Sequence, residues 1–323
     1  MAAKKENKGQ RARVHIVAAC LLLLFSSGAY AQTGTVYCTE ADREVFGRYL
    51  SFMEGKAELP FDSLILETAS FFLGTPYVGA TLEQEPEGLV VNLRELDCFT
   101  FVENVIALSR TVAAGEPSFD KYCAHLRLIR YREGIITGYA DRLHYTSDWL
   151  YENDRKQIVK YIGGEASRTP HTFDLRFMSS HPGSYRPLKA DSSLIPRIKE
   201  TEQEVNARTP YYYLIPKYAI DTFAIQVCSG DMVGFVTSIP GLDISHVGVA
   251  TRVGDTLTFI HASSVAKEVI VNRESLKEYV ESGKNCTGVM TAQPLPPLPP
   301  SPRKEDCEAD QNSSKANFTP TPW

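Results

Sequence analysis

Three residues of this chain have the types and the placement to break an amide bond together: Cys98, His246 and His261. Cys98 stands in the run Glu95-Leu96-Asp97-Cys98-Phe99-Thr100-Phe101-Val102-Glu103, after a turn-rich stretch and at the start of an apolar, helix-like segment. A thiol at a helix N-terminus has its ionised form favoured by free backbone N–H groups and by the positive end of the helix dipole. The thiolate is the nucleophile. It needs a base to take its proton and a third polar group to orient that base.

The base and the orienting group come from a hairpin. Ser245-His246-Val247-Gly248-Val249-Ala250-Thr251 and Thr256-Leu257-Thr258-Phe259-Ile260-His261-Ala262 flank the turn Val253-Gly254-Asp255. A two-residue Gly-Asp loop pairs 253 with 256, 250 with 259 and 248 with 261. Side chains alternate between faces, so His246, Gly248 and His261 share one face. His246 and His261 become diagonal neighbours, roughly 7–8 Å apart in the backbone and within reach of long side chains. A three-residue loop would separate them. Gly248 and Ala250 leave space beside His246, and a helix carrying Cys98 is the expected occupant. One Cys and two His also match a zinc site, but no fourth protein ligand is evident and no metal or other cofactor is expected.

The elements that must hold these groups follow from periodicity. Residues 39–58 and 62–73 have helical spacing of apolar positions, with Pro60 between them. Gly74-Thr75-Pro76-Tyr77-Val78-Gly79-Ala80 is a turn, and Leu89-Val90-Val91-Asn92 reads as a short strand. Asp97 is a good N-cap for the Cys98 helix. Phe101, Val102, Val105, Leu108 and Val112 form one apolar stripe on that helix, on the side of Cys98. Residues 120–220 mix aromatics (Tyr131, Tyr139, Tyr145, Trp149, Tyr151, Phe173, Phe177) with turn signals and a charged, helix-like piece. From Gly230 the period becomes two, over residues 232–236, 246–251, 256–262 and 269–271, which predicts an antiparallel sheet.

The 323 residues carry a net charge of −5, with 43% hydrophobic and 23% charged residues. That is an ordinary globular composition, with no basic stripe to suggest nucleic acid. Lys4, Lys5, Lys8, Arg11 and Arg13 precede an apolar block over residues 16–25, and Ala29-Tyr30-Ala31 follows. This predicts a signal peptide over residues 1–31 with Gln32 as the mature N-terminus. Ten apolar residues fall short of the ~20 needed to cross a bilayer, so membrane contact is expected during export alone. Export permits disulfides among Cys38, Cys123, Cys228, Cys286 and Cys307, with Cys98 kept free. The end of the chain, 293–323, is Pro-rich and expected to be disordered.

At these residues the chain resembles the NlpC-type superfamily of bacterial cell-wall cysteine peptidases and amidases. Gly74-Thr75-Pro76-Tyr77 resembles its opening motif, Asp97-Cys98 its nucleophile and Gly230-Asp231-Met232-Val233 its first core strand. Ser245-His246-Val247-Gly248-Val249 resembles its base strand and Ile260-His261-Ala262-Ser263-Ser264 its third catalytic position. Within the superfamily, the long Cys-to-His spacing and Cys-Phe-Thr-Phe-Val-Glu-Asn are most similar to the N-acetylmuramoyl-L-alanine amidase-like branch. The resemblance implies an α+β, permuted papain-like fold, with N-terminal helices carrying the Cys packed on a central antiparallel sheet carrying both His. It implies one domain over 32–292, with a large insertion at about 120–220, and hydrolysis of the amide joining N-acetylmuramic acid to L-alanine.

Endopeptidase members usually follow the nucleophile with Ser and Gly, and use an Asp-Cys-Ser cluster to hold a free L-alanine amine. Phe99 and Thr100 stand there instead, which turns the expected scissile bond from the peptide to the sugar–peptide junction. Tyr77, by its motif position, is expected to supply an oxyanion donor with the Cys98 N–H. Tyr77, Asp97, Phe99 and the insertion's Tyr145 are the candidate oxyanion and substrate-binding residues, although packing in a core accounts for the insertion's aromatics as well. The expected partner is peptidoglycan or a muramyl-peptide fragment, met by a monomer in the periplasm of a Gram-negative bacterium. Cleavage within the stem peptide, acyl transfer to an amine, and a non-catalytic wall-binding module are the alternatives.

Overall fold

A computed structural model describes residues 34–298, apart from 116, 163–168, 209–211 and 224–225. The expected signal peptide and residues 299–323 of the expected tail lie outside the described residues, with Cys307. The described chain is a mixed α+β structure. Its main sheet comprises β3 (Val159–Tyr161), β4 (Ile215–Pro216), β5 (Met232–Thr237), β6 (Ile244–Val253), β7 (Thr256–Ser263), β8 (Glu268–Val271) and β9 (Cys286–Pro294). The order is β3-β9-β5-β6-β7-β8, β4 also pairs with β9, and every pair is antiparallel. Two short strands, β1 (Val36–Tyr37) and β2 (Leu89–Val90), pair in parallel as a separate ribbon.

The period-two segments after Gly230 form β5 to β8 within one or two residues of their expected limits. The hairpin closes on Gly254-Asp255, with Val253 opposite Thr256 and Ala250 opposite Phe259. Gly254 takes φ +59°, the left-handed conformation that such tight loops require and glycine adopts without strain. The sequence reading missed β9, the strand between β3 and β5. It also placed the tail's start at residue 293, whereas β9 runs through Pro294, which pairs with Val159. The next carbonyl, of Leu295, accepts from Arg110, so this part of the Pro-rich segment is structured.

Five helices carry most of the α layer: α1 (Glu40–Phe52), α2 (Phe61–Phe71), α3 (Cys98–Ala113), α4 (Phe119–Arg130) and α5 (Thr146–Arg155). Thr39 and Asp42 form a capping box that starts α1, and α2 begins after Pro60. The stripe Phe101, Val102, Val105, Leu108 and Val112 is buried as expected. Each large side chain of this kind adds about 1.5–3 kcal/mol by leaving water.

The expectation of a one-sided helix is corrected, because every residue of α3 from Thr100 to Val112 is buried. Residues 119–155 close its far side with α4 and α5, through Arg130 on Glu103 and Trp149 on Phe99. The stretch expected as an insertion therefore supplies helices against α3 and two strands to the main sheet. Glu103 is buried on that side in an ion pair, its Oε2 accepting from Arg130 Nε at 2.7 Å, while Arg130 Nη1 donates to the Val90 carbonyl at 2.6 Å.

Each face of the sheet has its own core. One is built from Val247, Val249, Ile260 and Ala262 together with the apolar residues of α2 and α3. The other joins Val233, Phe235, Ala250 and Phe259 to Leu276 and Val280 of the helix Leu276–Ser282.

Candidate active site

The loop before α3 fixes Cys98 as that helix's first residue. Asp97 Oδ1 accepts from the N–H of Phe99 at 3.1 Å and of Thr100 at 2.8 Å, while the Asp97 N–H donates to Thr100 Oγ1 at 2.9 Å. A reciprocal cap of this kind satisfies the first orphan donors of the helix. Asp97 is thus a cap, with its Oδ1 committed to the protein's own backbone.

β6 and β7 supply the imidazoles. His246 Nε2 and His261 Nδ1 lie 2.6 Å apart, joined by a hydrogen bond, with ring planes at 84°. The diagonal relation inferred from hairpin parity is the one observed. The expected occupant of the His246 face is not. α3 packs on the opposite face, against Val247 and Val249, and the His246 face is covered by Phe259 and by Tyr279 of the C-terminal helix. Gly248 offers no room for a helix. A Cβ there would lie 2.9 Å from both Phe259 Cδ2 and the Ile260 carbonyl, and 3.3 Å from His261 Cβ. Its small size serves the close approach of β7.

Cys98 reaches this neighbourhood along the strand's edge. Pairing between β6 and β7 ends at Val249–Ile260, while β6 continues beside β5 and β7 beside β8. The Val247 backbone lies beside the Cys98 thiol and, with the backbone of Cys98 and Phe99, favours the charged form of the sulfur. The thiol therefore sits against the residue that follows the candidate base.

The charge states differ from those expected of a helix-terminal thiol. Burial, with the Asp97 charge second, pushes the Cys98 thiol up to about 12, against the pull of those three backbone groups. Desolvation of the sulfur outweighs the helix end. Burial, with His261 second, pushes His246 down to about 3, and burial takes His261 down to about 4. At neutral pH the resting site holds a neutral thiol and two neutral imidazoles.

The other expected residues divide. Tyr77 is stitched beside the nucleophile loop: its N–H donates to the Lys267 carbonyl, and the Val78 N–H to that of Leu96. Burial raises its phenol's pKa first, and the nearby Cys98 and Asp97 add to that. Phe99 is half-buried with its ring edge-on to Trp149, at 5.8 Å between centroids. Tyr145 spends its hydroxyl within the protein. Its buried hydroxyl donates to Glu202 Oε1 at 2.7 Å and accepts the Met178 N–H at 3.0 Å, a contact that holds the 177–206 region together.

Two residues near the site went unread in the sequence. Tyr279 lies 6.3 Å, ring to ring, from both His246 and His261. Its signal was the capping box Ser275-Leu276-Lys277-Glu278 that starts its helix. Asn272 lies beside His261 and favours its charged form. Continuing the strand arithmetic one hairpin further would have placed it there. A recess of about 300 Å³ opens next to His246, lined among others by Phe235, Thr237, Ser245, Glu274 and Tyr279.

The family model of N-acetylmuramoyl-L-alanine amidase-like proteins matches residues 67–289. Among solved structures, an N-acetylmuramoyl-L-alanine amidase from Bacteroides uniformis aligns at 31% identity and TM-score 0.69, over 73% of this chain and 99% of that one. A proposed xylanase from Bacteroides fragilis aligns at 31% identity and TM-score 0.66, over 70% of this chain and 99% of its own. A Legionella pneumophila protein shares the fold at 21% identity and TM-score 0.61, over 80% of this chain and 96% of its own. No curated protein matches.

Proposed function

The chain belongs to the N-acetylmuramoyl-L-alanine amidase-like family, and from that premise we propose a cysteine amidase that splits N-acetylmuramic acid from the L-alanine of the stem peptide. One observation carries the mechanism. The Cys98 thiol lies beside the backbone of Val247, the residue that follows a His246 whose ring is tied to His261 at 2.6 Å.

With both groups neutral at rest, catalysis begins with proton transfer, not from a preformed ion pair. His246 takes the Cys98 proton as sulfur attacks the lactyl carbonyl. The new imidazolium is stabilised by His261 through the bond already formed. The oxyanion is met by the Cys98 N–H and by the Tyr77 hydroxyl, and losing one such donor typically costs ~10²–10³ in rate. His246 then protonates the leaving L-alanine nitrogen, and water, activated by the same imidazole, hydrolyses the thioester.

A permuted papain-like ancestry is part of this proposal. It is supported by the order Tyr77, Cys98, His246, His261 and by a nucleophile helix packed on an antiparallel sheet that carries both imidazoles. The xylanase name of one neighbour does not suit this site, since glycoside hydrolysis uses paired carboxyl groups rather than a thiol and two imidazoles. Export by residues 1–31 into the periplasm, and action there as a monomer on wall fragments, complete the proposal.

The test is product analysis. Purified mature protein incubated with muramyl-peptides should release intact stem peptide, and Cys98→Ala and His246→Ala should each abolish release. Cleavage between D-glutamate and the diamino acid would overturn the scissile bond, and an active Cys98→Ala protein would overturn the mechanism.

A further inference from the structure

The base of a thiol hydrolase has two ring nitrogens, and only one can face the sulfur with a free lone pair. Which one is decided by what the other nitrogen binds. Here His246 Nε2 is bound to His261 Nδ1, so the question passes to His261, whose Nε2 is buried and has no hydrogen-bond partner among the described residues.

Strand register places one polar residue beside that ring. His261 stands opposite Ile270, and the Asn272 N–H donates to the Phe259 carbonyl at 2.8 Å, so Asn272 stands opposite Phe259. Phe259 and His261 share a face, their ring centroids 4.8 Å apart. Asn272 is therefore the diagonal neighbour of His261 on that face, as His261 is of His246. The three form a line across β6, β7 and the end of β8.

The Asn272 backbone is fixed on both sides, since its carbonyl accepts from Thr258 Oγ1 at 2.9 Å. Its side-chain Nδ2 donates to the Glu274 carbonyl at 2.9 Å. A carbonyl can only accept, so the NH₂ end of the amide must face Glu274. That leaves Oδ1, a pure acceptor, as the atom Asn272 offers to His261.

We propose that Asn272 is a positioning residue whose Oδ1 accepts a hydrogen bond from His261 Nε2 and so sets which nitrogen of His246 serves Cys98. An acceptor at His261 Nε2 requires the proton there, and His261 Nδ1 is then a bare lone pair. That lone pair can only accept, so the proton between the imidazoles belongs to His246 Nε2. His246 Nδ1 is left unprotonated and free to take the thiol's proton. The Glu274 carbonyl thus controls the base through three side chains in sequence. The inference rests on the reading of His246 as the base.

Imidazole ¹⁵N NMR of the intact mature protein at pH 8 tests the chain of protons directly. In the native protein both His246 and His261 should be protonated at Nε2. In Asn272→Ala that tautomer should be lost at His261 and mixed at His246. Its kcat should fall about ten- to a hundredfold with KM unchanged, less than the ~10⁴ lost when the group directly orienting a base is removed. Asn272→Asp keeps the Oδ1 acceptor and should keep both tautomers with kcat within several-fold. If Asn272→Ala does not fold, a lost tautomer in Asn272→Asp overturns the proposal. So does an Asn272→Ala protein with native tautomers and native kcat. A fully active His246→Ala enzyme would overturn the reading of the base instead, and would leave the tautomer measurement standing.

Discussion

Alkylation of Cys98 distinguishes a neutral resting site from a preformed ion pair. With the thiol pushed up to about 12, the thiolate fraction at pH 7.5 is ~3 × 10⁻⁵, against about a tenth for an unperturbed thiol near 8.5. That is a deficit of ~3000-fold in the reactive species. A more basic thiolate is a better nucleophile, with a Brønsted slope of about 0.4–0.5, so ~3.5 units of basicity return roughly 40-fold. The net expectation at pH 7.5 is a rate ~10² below that of an ordinary cysteine. The assay is iodoacetamide modification followed by peptide mass mapping, with exposed Cys228 as the internal check on the reagent. The Cys98 rate should rise about tenfold per pH unit from pH 6 to 9 with no plateau. His246→Ala should change it by less than about threefold, because a neutral imidazole does not hold a thiolate. A plateau between pH 5 and 8 that vanishes in His246→Ala is the signature of a thiolate–imidazolium pair, and it would refute the reasoning.

Three further outcomes are expected. Gly248→Ala puts a methyl 2.9 Å from both Phe259 Cδ2 and the Ile260 carbonyl; overpacking should cost about 1–3 kcal/mol in a urea titration. Its kcat should fall as β7 moves from β6, and a native kcat would show that the His246–His261 contact is not required. Glu103→Leu strands the buried Arg130 charge and should cost about 3–5 kcal/mol, read by chemical denaturation, and the double variant with Arg130→Met should recover more than half. His144 is held neutral in the fold, pushed down to about 3 by burial first and Arg142 second. The unfolded chain binds that proton below ~6.5, so this contribution is complete above pH 6.5 and is lost as pH falls. Between pH 6.5 and 4.5 the loss is up to about 2.7 kcal/mol, and His144→Gln should remove that share of the pH dependence of unfolding.

How far sequence reached depended on whether a pattern had one physical meaning. The Gly254-Asp255 loop fixes parity, and parity fixes the face of every residue on β6 and β7, so the two imidazoles were legible before any coordinates. β9 was not. It lies between β3 and β5, its residues Gly288 to Ala292 are buried on both faces, and so it shows no alternation. The prolines that follow it made its end look like tail. Tyr145 misled because a buried phenol bonded to Glu202 and one facing a sugar leave the same trace in sequence. The all-round burial of α3 was hidden for a related reason. Glu103, Asn104 and Arg110 are polar, and only the fold supplies Arg130, Tyr122 and the Leu295 carbonyl as their buried partners.

The parting of β6 from β7 accounts for more of the site than any single side chain does. Where the two strands are paired, as far as Val249–Ile260, their N–H groups are spent on each other. Val247 lies just beyond the last paired residue, Val249. The Cys98 thiol lies beside the Val247 backbone, which brings the start of α3 to the strand that carries His246. β7 still lies close to β6 at Gly248, and His246 and His261 meet there as diagonal neighbours in a 2.6 Å bond. Burial then keeps thiol and imidazoles neutral, which avoids the cost of holding separated charges in a desolvated site at rest. In the proposed mechanism the charge appears when sulfur attacks, and His261 is already bonded to the ring that receives the proton. A site so arranged favours the transition state over the resting ion pair, which is the difference that accelerates the chemical step.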